Sequence, residues 1–395
     1  MTKKHLSLEE FSQKQLEALR RKLHACPELD FDLEETSGIV GETLTALGIP
    51  WKFTAKSGIA AVIEGEKPGR TVLLRADMDA LPLAEEAEVP WRSRNEGVMH
   101  ACGHDVHAAC LLGAAEALSK RRKGMKGRVL LVFQPAEETS GGALPMIEDG
   151  LFGEGTPDGA FALHCDPSLP AGSVGAASGV FRAASDMFDA SVRGRGTHGA
   201  EPHRGDDVIA LACRVIGALH ELVGRTVSPT KGAVLSVGTF RAGQARNILP
   251  ERADFSGILR TLDEDVRESL RAKIRRTVMN IPNILGAVGE VTFTEGYPLL
   301  RNDEGMTEIV RNAARDLLGS DRTVGLTEPG MAVDDFAVYL QHMPGCYFLL
   351  GTGREGKDNP PLHNPFFDPD ESCLPAGAAV LAEASLRFLE EPYQK

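Results

Sequence analysis

The segment TVLLRADMDALP, Thr71 to Pro82, decides the architecture. Thr71 to Arg75 is nearly all apolar, the composition of a strand buried on both faces. It runs straight into Asp77 and Asp79. Side chains two apart on a strand point the same way, so both carboxylates should leave the top of the sheet together. The carboxyl end of a buried strand is where open α/β sheets keep their sites.

Upstream, Ser7-Leu-Glu-Glu10 has the form of a capping box and predicts a helix from there to about Ala25, ended by Pro27. Leu16, Leu19, Arg20 and Leu23 give it an inner face. A second helix is predicted from about Glu34 to Leu47, stopped by Gly48 and Pro50. Gly58 to Glu64 reads as a strand. Downstream come a helix from about Asp105 to Lys120, a solvated basic end from Lys120 to Lys126, a buried strand from Val129 to Phe133 and another from Gly159 to His164. This alternation is the signature of a doubly wound α/β sheet. The texture changes near Arg182. Strands at Ser185 to Arg193, Gly232 to Phe240, Arg252 to Leu259 and Gly289 to Thr294 enclose helices at Asp206 to Arg225 and Asp263 to Met279. That β-α-β-β-α-β order is the ferredoxin-like sandwich. The expectation is therefore an α/β domain made of residues 1–181 and 296–395, with residues 182–295 inserted as a second domain. A helix at Met306 to Leu318, a strand at Gly345 to Gly351 and a helix at Glu371 to Glu390 complete the first.

The chain has 395 residues, enough for two domains, with 42% hydrophobic and 25% charged residues. A formal charge of −13 argues against nucleic acid as a partner. No apolar h-region follows the two lysines of MTKKHLSLEEF, so no signal peptide is expected, and no membrane-spanning run is apparent. Seven scattered cysteines do not form a disulfide framework. Cys26, Cys110, Cys213, Cys346 and Cys373 read as core fillers. A cytoplasmic setting is expected.

The chemistry concentrates in MHACGHDVH, Met99 to His107, with a thiol, three imidazoles and a carboxylate. Cys102 and His104 flank Gly103, and a sharp turn there would let thiolate and imidazole share an ion. Glu137-Glu138, His164 and His363 lie at other predicted strand ends. Cys102, His104, one of the two glutamates, His164 and His363 are too many ligands for one tetrahedral ion. They suit two ions roughly 3.5–4 Å apart. The donor set fits zinc, cobalt, nickel or manganese. The remaining glutamate is placed to serve as a general base.

The chain resembles the M20 metallopeptidase family, in its amidohydrolase branch of hippurate hydrolases, N-acyl-amino-acid amidohydrolases and plant auxin-conjugate hydrolases. The resemblance rests on HACPELDFDLEET, LRADMDALPL, MHACGHDVHAA, FQPAEE, ALHCDPSLPAG, GRGTHGAEPH, GTFRAGQARNILP and PLHNPFFDPDE, which cover nearly the whole chain. It implies a metal-binding α/β catalytic domain with an inserted ferredoxin-like lid and dimerisation domain. It implies Cys102, His104, Glu138, His164 and His363 as ligands of two divalent ions, Glu137 as the general base and Asp79 as the support beneath the site. Asp77 stands where other branches place a metal-binding histidine. His198 would stabilise the oxyanion from the partner subunit, and Asn247 would bind substrate. Apart from the resemblance, the negative net charge calls for local positive charge to hold an anionic substrate, for which the metals, His198 and Arg246 are candidates. The implied assembly is a homodimer, or a tetramer, and the implied reaction is hydrolysis of N-acyl amino acids. A dipeptidase or carboxypeptidase and an N-acetyl-diamino-acid deacetylase are the alternatives within the family. A non-catalytic metal binder and a thiol-redox protein using Cys102 and Cys165 are the alternatives outside it. The family's Gly-Ser-Glu-Asp-Phe run is here Ala332-Val333-Asp334-Asp335-Phe336, a departure whose role the sequence leaves open.

Overall fold

The computed structural model describes residues 5–153, 155–326 and 328–390; residues 1–4, the start of the segment read for a leader, lie outside these. In chain order its elements are α1 (Gln13–His24), α2 (Glu34–Ala46), β1 (Trp51–Thr54), β2 (Gly58–Glu64), β3 (Lys67–Asp77), α3 (His104–Ser119), β4 (Lys126–Gln134), α4 (Ala143–Glu148), β5 (Gly159–Pro170), β6 (Val174–Ala176) and β7 (Gly179–Arg182). There follow β8 (Ala184–Arg193), β9 (Thr197–His198), α5 (Val208–Thr226), β10 (Ala233–Ala242), β11 (Ile248–Leu249), β12 (Arg252–Thr261), α6 (Glu264–Asn283) and β13 (Val288–Glu295). The chain ends with β14 (Leu300–Asn302), α7 (Glu304–Leu318), β15 (Thr323–Gly325), α8 (Phe336–Leu340), β16 (Gly345–Gly353) and α9 (Leu374–Glu390). Two compact units result: Met1–Phe181 with Arg301–Glu328 and Asp335–Lys395, and Arg182–Leu300 with Pro329–Asp334.

The larger unit is built on an eight-stranded sheet in the order β1-β2-β4-β3-β5-β16-β6-β15. The central strands β4, β3, β5 and β16 are mutually parallel. The sheet as a whole is mixed, because β1, β2 and β4 run antiparallel to one another in turn. Alternate residues of the central strands, among them Val72, Leu74, Val129, Leu131, Phe161 and Phe348, join one core with α1, α2, α3, α7 and α9. The opposite parity faces the short helices, where Phe336 of α8 packs on Tyr347 of β16 and the Tyr339 hydroxyl meets Met146 of α4. The winding is thus unequal: long helices cover one face and two short ones the other.

The smaller unit carries a four-stranded antiparallel sheet in the order β10-β12-β8-β13. Taken in chain order these are strands 2-3-1-4, the ferredoxin-like arrangement. Phe188, Ala190 and Val192 of β8 pack against Val208, Leu211 and Val215 of α5 and Leu270, Ile274 and Val278 of α6. The helices start on aspartate caps, with Asp207 accepting from the Ala210 N–H and Asp263 from the Val266 N–H, each at 3.0 Å.

Several expectations need correction. The Ser7–Glu10 capping box forms, but it caps a single 3₁₀ turn; buried Phe11 is extended, and α1 starts after a second cap, Ser12. His164 does not end its strand. It lies inside β5, which runs on to Pro170 because β16 keeps pairing with it past a bulge. Cys213 is exposed, off the apolar face of α5, whereas Cys26, Cys110, Cys346 and Cys373 are buried. One helical stretch, Glu371–Glu390, is long and apolar enough to cross a membrane, with mean hydropathy 1.2, but it is a core element, 78% buried.

Candidate metal centre

The turn at Gly103 has φ +84, and a Cβ there would sit 2.7 Å from the Cys165 sulfur, so this left-handed corner admits glycine alone without a shift. It sets Cys102 and His104 on either side of the start of α3. The Nδ1 of His104 lies 2.8 Å from the Asp79 carbonyl, which can only accept, so Nδ1 carries the proton. Its Nε2 is then turned inward, buried and without a hydrogen-bond partner. His164 is oriented the same way: Nδ1 donates to the Cys165 carbonyl at 2.8 Å, and Nε2 comes within 3.4 Å of Cys102 Sγ. A hydrogen bond to one ring nitrogen that fixes the ring and aims the other at an ion is characteristic of ligating histidines.

The glutamate pair sits on the loop after β4. Its turn is made at Ala136, φ +59. The Asp79 carboxylate accepts both the Glu137 and Glu138 N–H groups, at 3.0 Å each. Glu138 Oε1 lies 3.1 Å from His363 Nε2 and 3.8 Å from His104 Nε2, and it is buried without an aligned hydrogen bond. His363 also has a left-handed backbone, φ +61, held by its N–H donating to the Ala101 carbonyl at 2.8 Å. A non-glycine residue at positive φ costs energy and points to a constrained role.

Donor atoms of Cys102, His104 and His164 gather within 4.8 Å of one another, as do those of Cys102, Glu138 and His363, and those of His104, Glu137 and Glu138. Cys102 belongs to two of these groups. Burial pushes the Cys102 thiol well up, and the charges of Glu138, Glu137 and Asp77 push it further. Burial lowers His104, but the Asp77 charge, with Asp79 and Glu138, outweighs it and holds the imidazole up at about 10. The cluster therefore gathers protons onto soft bases from an excess of buried negative charge. A divalent cation answers the same excess, and its binding would displace those protons. Two buried atoms without an aligned hydrogen bond, His104 Nε2 and Glu138 Oε1, fit that occupant.

Around these residues the structure adds partners to which sequence reading assigns no role. His107, the third imidazole of MHACGHDVH, spends both nitrogens: Nδ1 on Asp77 at 2.5 Å, and Nε2 accepting the Cys165 N–H at 2.9 Å. Asp77 and Asp79 do not act together. Asp77 is committed to His107 and to Arg75, at 2.6 Å, and Asp79 to the glutamate loop. His24, within HACPELDFDLEET, lies between Asp105 at 2.7 Å and Glu85 at 3.0 Å. Arg20, counted in an apolar face, is fully buried against Asp105 at 2.7 Å. Nothing local in the sequence marks the partners of either residue.

In the smaller unit, β9 pairs with β11, placing His198 opposite Ile248, and the Gly199 N–H donates to the Asn247 carbonyl at 2.8 Å. His198 and Asn247 are thus neighbours on one exposed ribbon. His198 Nδ1 accepts the Ala200 N–H at 3.1 Å, which leaves Nε2 as the protonated, donating nitrogen. Gly196 and Gly199 serve close approach here: an added Cβ would lie 2.9 Å and 3.1 Å from atoms of Glu251 or Leu249 and of Asn247.

A family model, peptidase family M20/M25/M40, matches residues 73–387. The chain is 40% identical over 376 residues to thermostable carboxypeptidase 2 of Saccharolobus solfataricus, covering 94% of each. It is 38% identical over 379 residues to N-acetyl-L-cysteine deacetylase of Bacillus subtilis, covering 96% of this chain and 89% of the relative. Among solved structures, the YXEP protein of Bacillus subtilis, described as a dinuclear metal binding peptidase from the M20 family, superposes with a TM-score of 0.84 at 32% identity, covering 96% of this chain and 98% of that one.

Proposed function

The chain belongs to peptidase family M20/M25/M40 and is a metal-dependent hydrolase, and from that premise we propose that it cleaves the amide bond of N-acyl amino acids. The observation that carries this is the placement of Glu137 and Glu138: one buried carboxylate, Asp79, grips both of their amides beside the thiol and imidazole donors. In this reading Cys102, His104, Glu138, His164 and His363 hold two divalent ions of the zinc, manganese, cobalt or nickel kind. When bound, such ions polarise the scissile carbonyl and lower the pKa of water.

Glu137 takes the proton of the attacking water and returns it to the leaving amine, releasing a carboxylic acid and a free amino acid. Asp79 keeps Glu137 and Glu138 in place from below. His198, whose Nε2 is the donating nitrogen, stabilises the developing oxyanion. By the resemblance of GRGTHGAEPH it does so from a second subunit, in a homodimer or larger assembly joined through the lid. Asn247, beside it, contacts the substrate. Six buried thiols and an odd cysteine count support a cytoplasmic setting.

Carboxypeptidase action is a second reading, favoured by the 40% identity to thermostable carboxypeptidase 2. The two readings share their chemistry at the cut, an amide whose nitrogen belongs to an amino acid with a free carboxylate. The test is a hydrolysis screen of N-acetyl, N-benzoyl and indole-acetyl amino acids against blocked dipeptides on metal-replete protein, with detection of free amine. Release from the N-acyl amino acids supports the first reading. Release from the blocked dipeptides alone replaces it with the second.

A further inference from the structure

We propose that Asp335, in the run where the chain departs from the family pattern, is a positioning residue that fixes the loop bearing Glu137 and Glu138. The proposal rests on the reading of Glu137 as base and assigns the part of the fold that aims it.

The loop leaves β4 after Gln134 and enters α4 at Ala143. Both ends close on one carboxylate. Gln134 Nε2 donates to Asp335 Oδ1 and Oδ2 at 2.8 Å each, and the Ala143 N–H donates to Asp335 Oδ2 at 2.9 Å. Between these anchors the backbone is tightly folded. The Gly141 N–H donates to the Ala136 carbonyl at 2.8 Å, and a Cβ on Gly142 would fall 1.9 Å from the Pro135 oxygen. Asp79 holds the middle of the loop, and Asp335 holds its two ends.

Asp335 is itself fixed. Arg75 donates to it at 2.7 Å through one terminal nitrogen, to Asp77 at 2.6 Å through the other, and through Nε to Gln134 Oε1 at 3.0 Å. Asp335, Arg75 and Gln134 are all buried. Water is therefore not at hand to replace a deleted partner. A residue whose purpose was only to neutralise Arg75 would have no need to reach Ala143. An aspartate that gathers the last residue of a strand and the first of a helix sets the span of the loop between them. A shift of about 1 Å in such a loop can cost ~100-fold in rate.

The test uses the metal-loaded full chain and the variants Asp335→Asn and Gln134→Met, the second being near-isosteric and uncharged. Amide hydrogen exchange over residues 136–143 should quicken in both, with metal content retained and exchange elsewhere unchanged. With whichever screened N-acyl amino acid is cut fastest, kcat should fall about 10- to 100-fold, with KM little changed. In a Glu137→Gln background Asp335→Asn should change the rate by less than about twofold, because the two act through one group. Unchanged loop exchange in both variants overturns the proposal, and so does a fully additive loss in the double variant, which a merely structural role would give. If Asp335→Asn fails to fold, Gln134→Met decides. If Glu137→Gln alone keeps wild-type turnover, the reading of the base fails, while the exchange data still decide whether Asp335 pins the loop.

Discussion

The Asp79 carbonyl accepts the Nδ1 proton of His104 across 2.8 Å. The same residue's carboxylate holds the amides of Glu137 and Glu138. One aspartate thus aims a nitrogen donor and two carboxylates at a common volume.

Glu138 faces His104, His363 and Cys102, and the proposed reading gives Glu137 the proton transfer. Glu137→Gln should keep its metal by elemental analysis and lose about 10²–10⁴-fold in kcat. Glu138→Gln should lose metal. The reverse pattern would exchange their roles.

Gly103→Ala tests the corner that sets Cys102 against His104. The new methyl meets Cys165 Sγ at 2.7 Å on a backbone with φ +84. Left-handed backbone alone costs about 1–2 kcal/mol for a non-glycine residue. A lower thermal midpoint, together with weaker metal retention in chelator competition, is expected. A variant with wild-type values for both would show that the turn has room to relax.

His24 makes stability depend on pH. Burial and the nearby Arg20 push its pKa down, but the Asp105 charge and hydrogen bonds to Asp105 and Glu85 more than reverse this, so the folded value lies above the ordinary 6.5. A raised folded pKa contributes stability that is fully present below 6.5 and is lost as pH rises through the folded value. The thermal midpoint of the wild type should therefore fall relative to His24→Gln as pH is raised above that point. A difference between the two proteins that stays flat from mildly acid to alkaline pH would mean that folding does not raise the pKa of His24.

His198→Ala should cost roughly 10²–10³ in rate, the usual loss for one oxyanion donor. Mixed with Glu137→Gln and allowed to exchange subunits, it should regain activity, since one site in each heterodimer has both groups. Subunit exchange seen by mass spectrometry without recovery would place His198 in its own chain's chemistry or outside the reaction.

Much of this was legible because it is local. An apolar strand ending in Asp77 and another ending at Gln134 just before the glutamate pair, a glycine between Cys102 and His104, and the period change beyond Arg182 each signal over a few residues. What escaped was long-range or satisfied by packing. Arg75 and Asp335 are 260 residues apart, and neither carries a mark of the other. His107 and His104 look alike in MHACGHDVH; only the Cys165 N–H and Asp77 show that His107 is already occupied. The Ser7 box obeyed its pattern yet capped a turn, because burial of Phe11 required an extended residue before α1 could begin. β5 outran its predicted end because its length is set by pairing with β16, where Gly345 meets Ala160, 185 residues away in the chain.

The smaller unit reclaims Pro329–Asp334 after the chain has already returned to the larger one, and the Ala183 N–H bonds to the Ala332 carbonyl at 3.0 Å. The unit is therefore not a cassette. A graft that exchanged residues 182–300 with those of a relative would leave its final piece behind in the host, so chimeras with new specificity must be cut in two places, and an isolated 182–300 fragment would present β8's neighbour with a missing hydrogen-bonding partner.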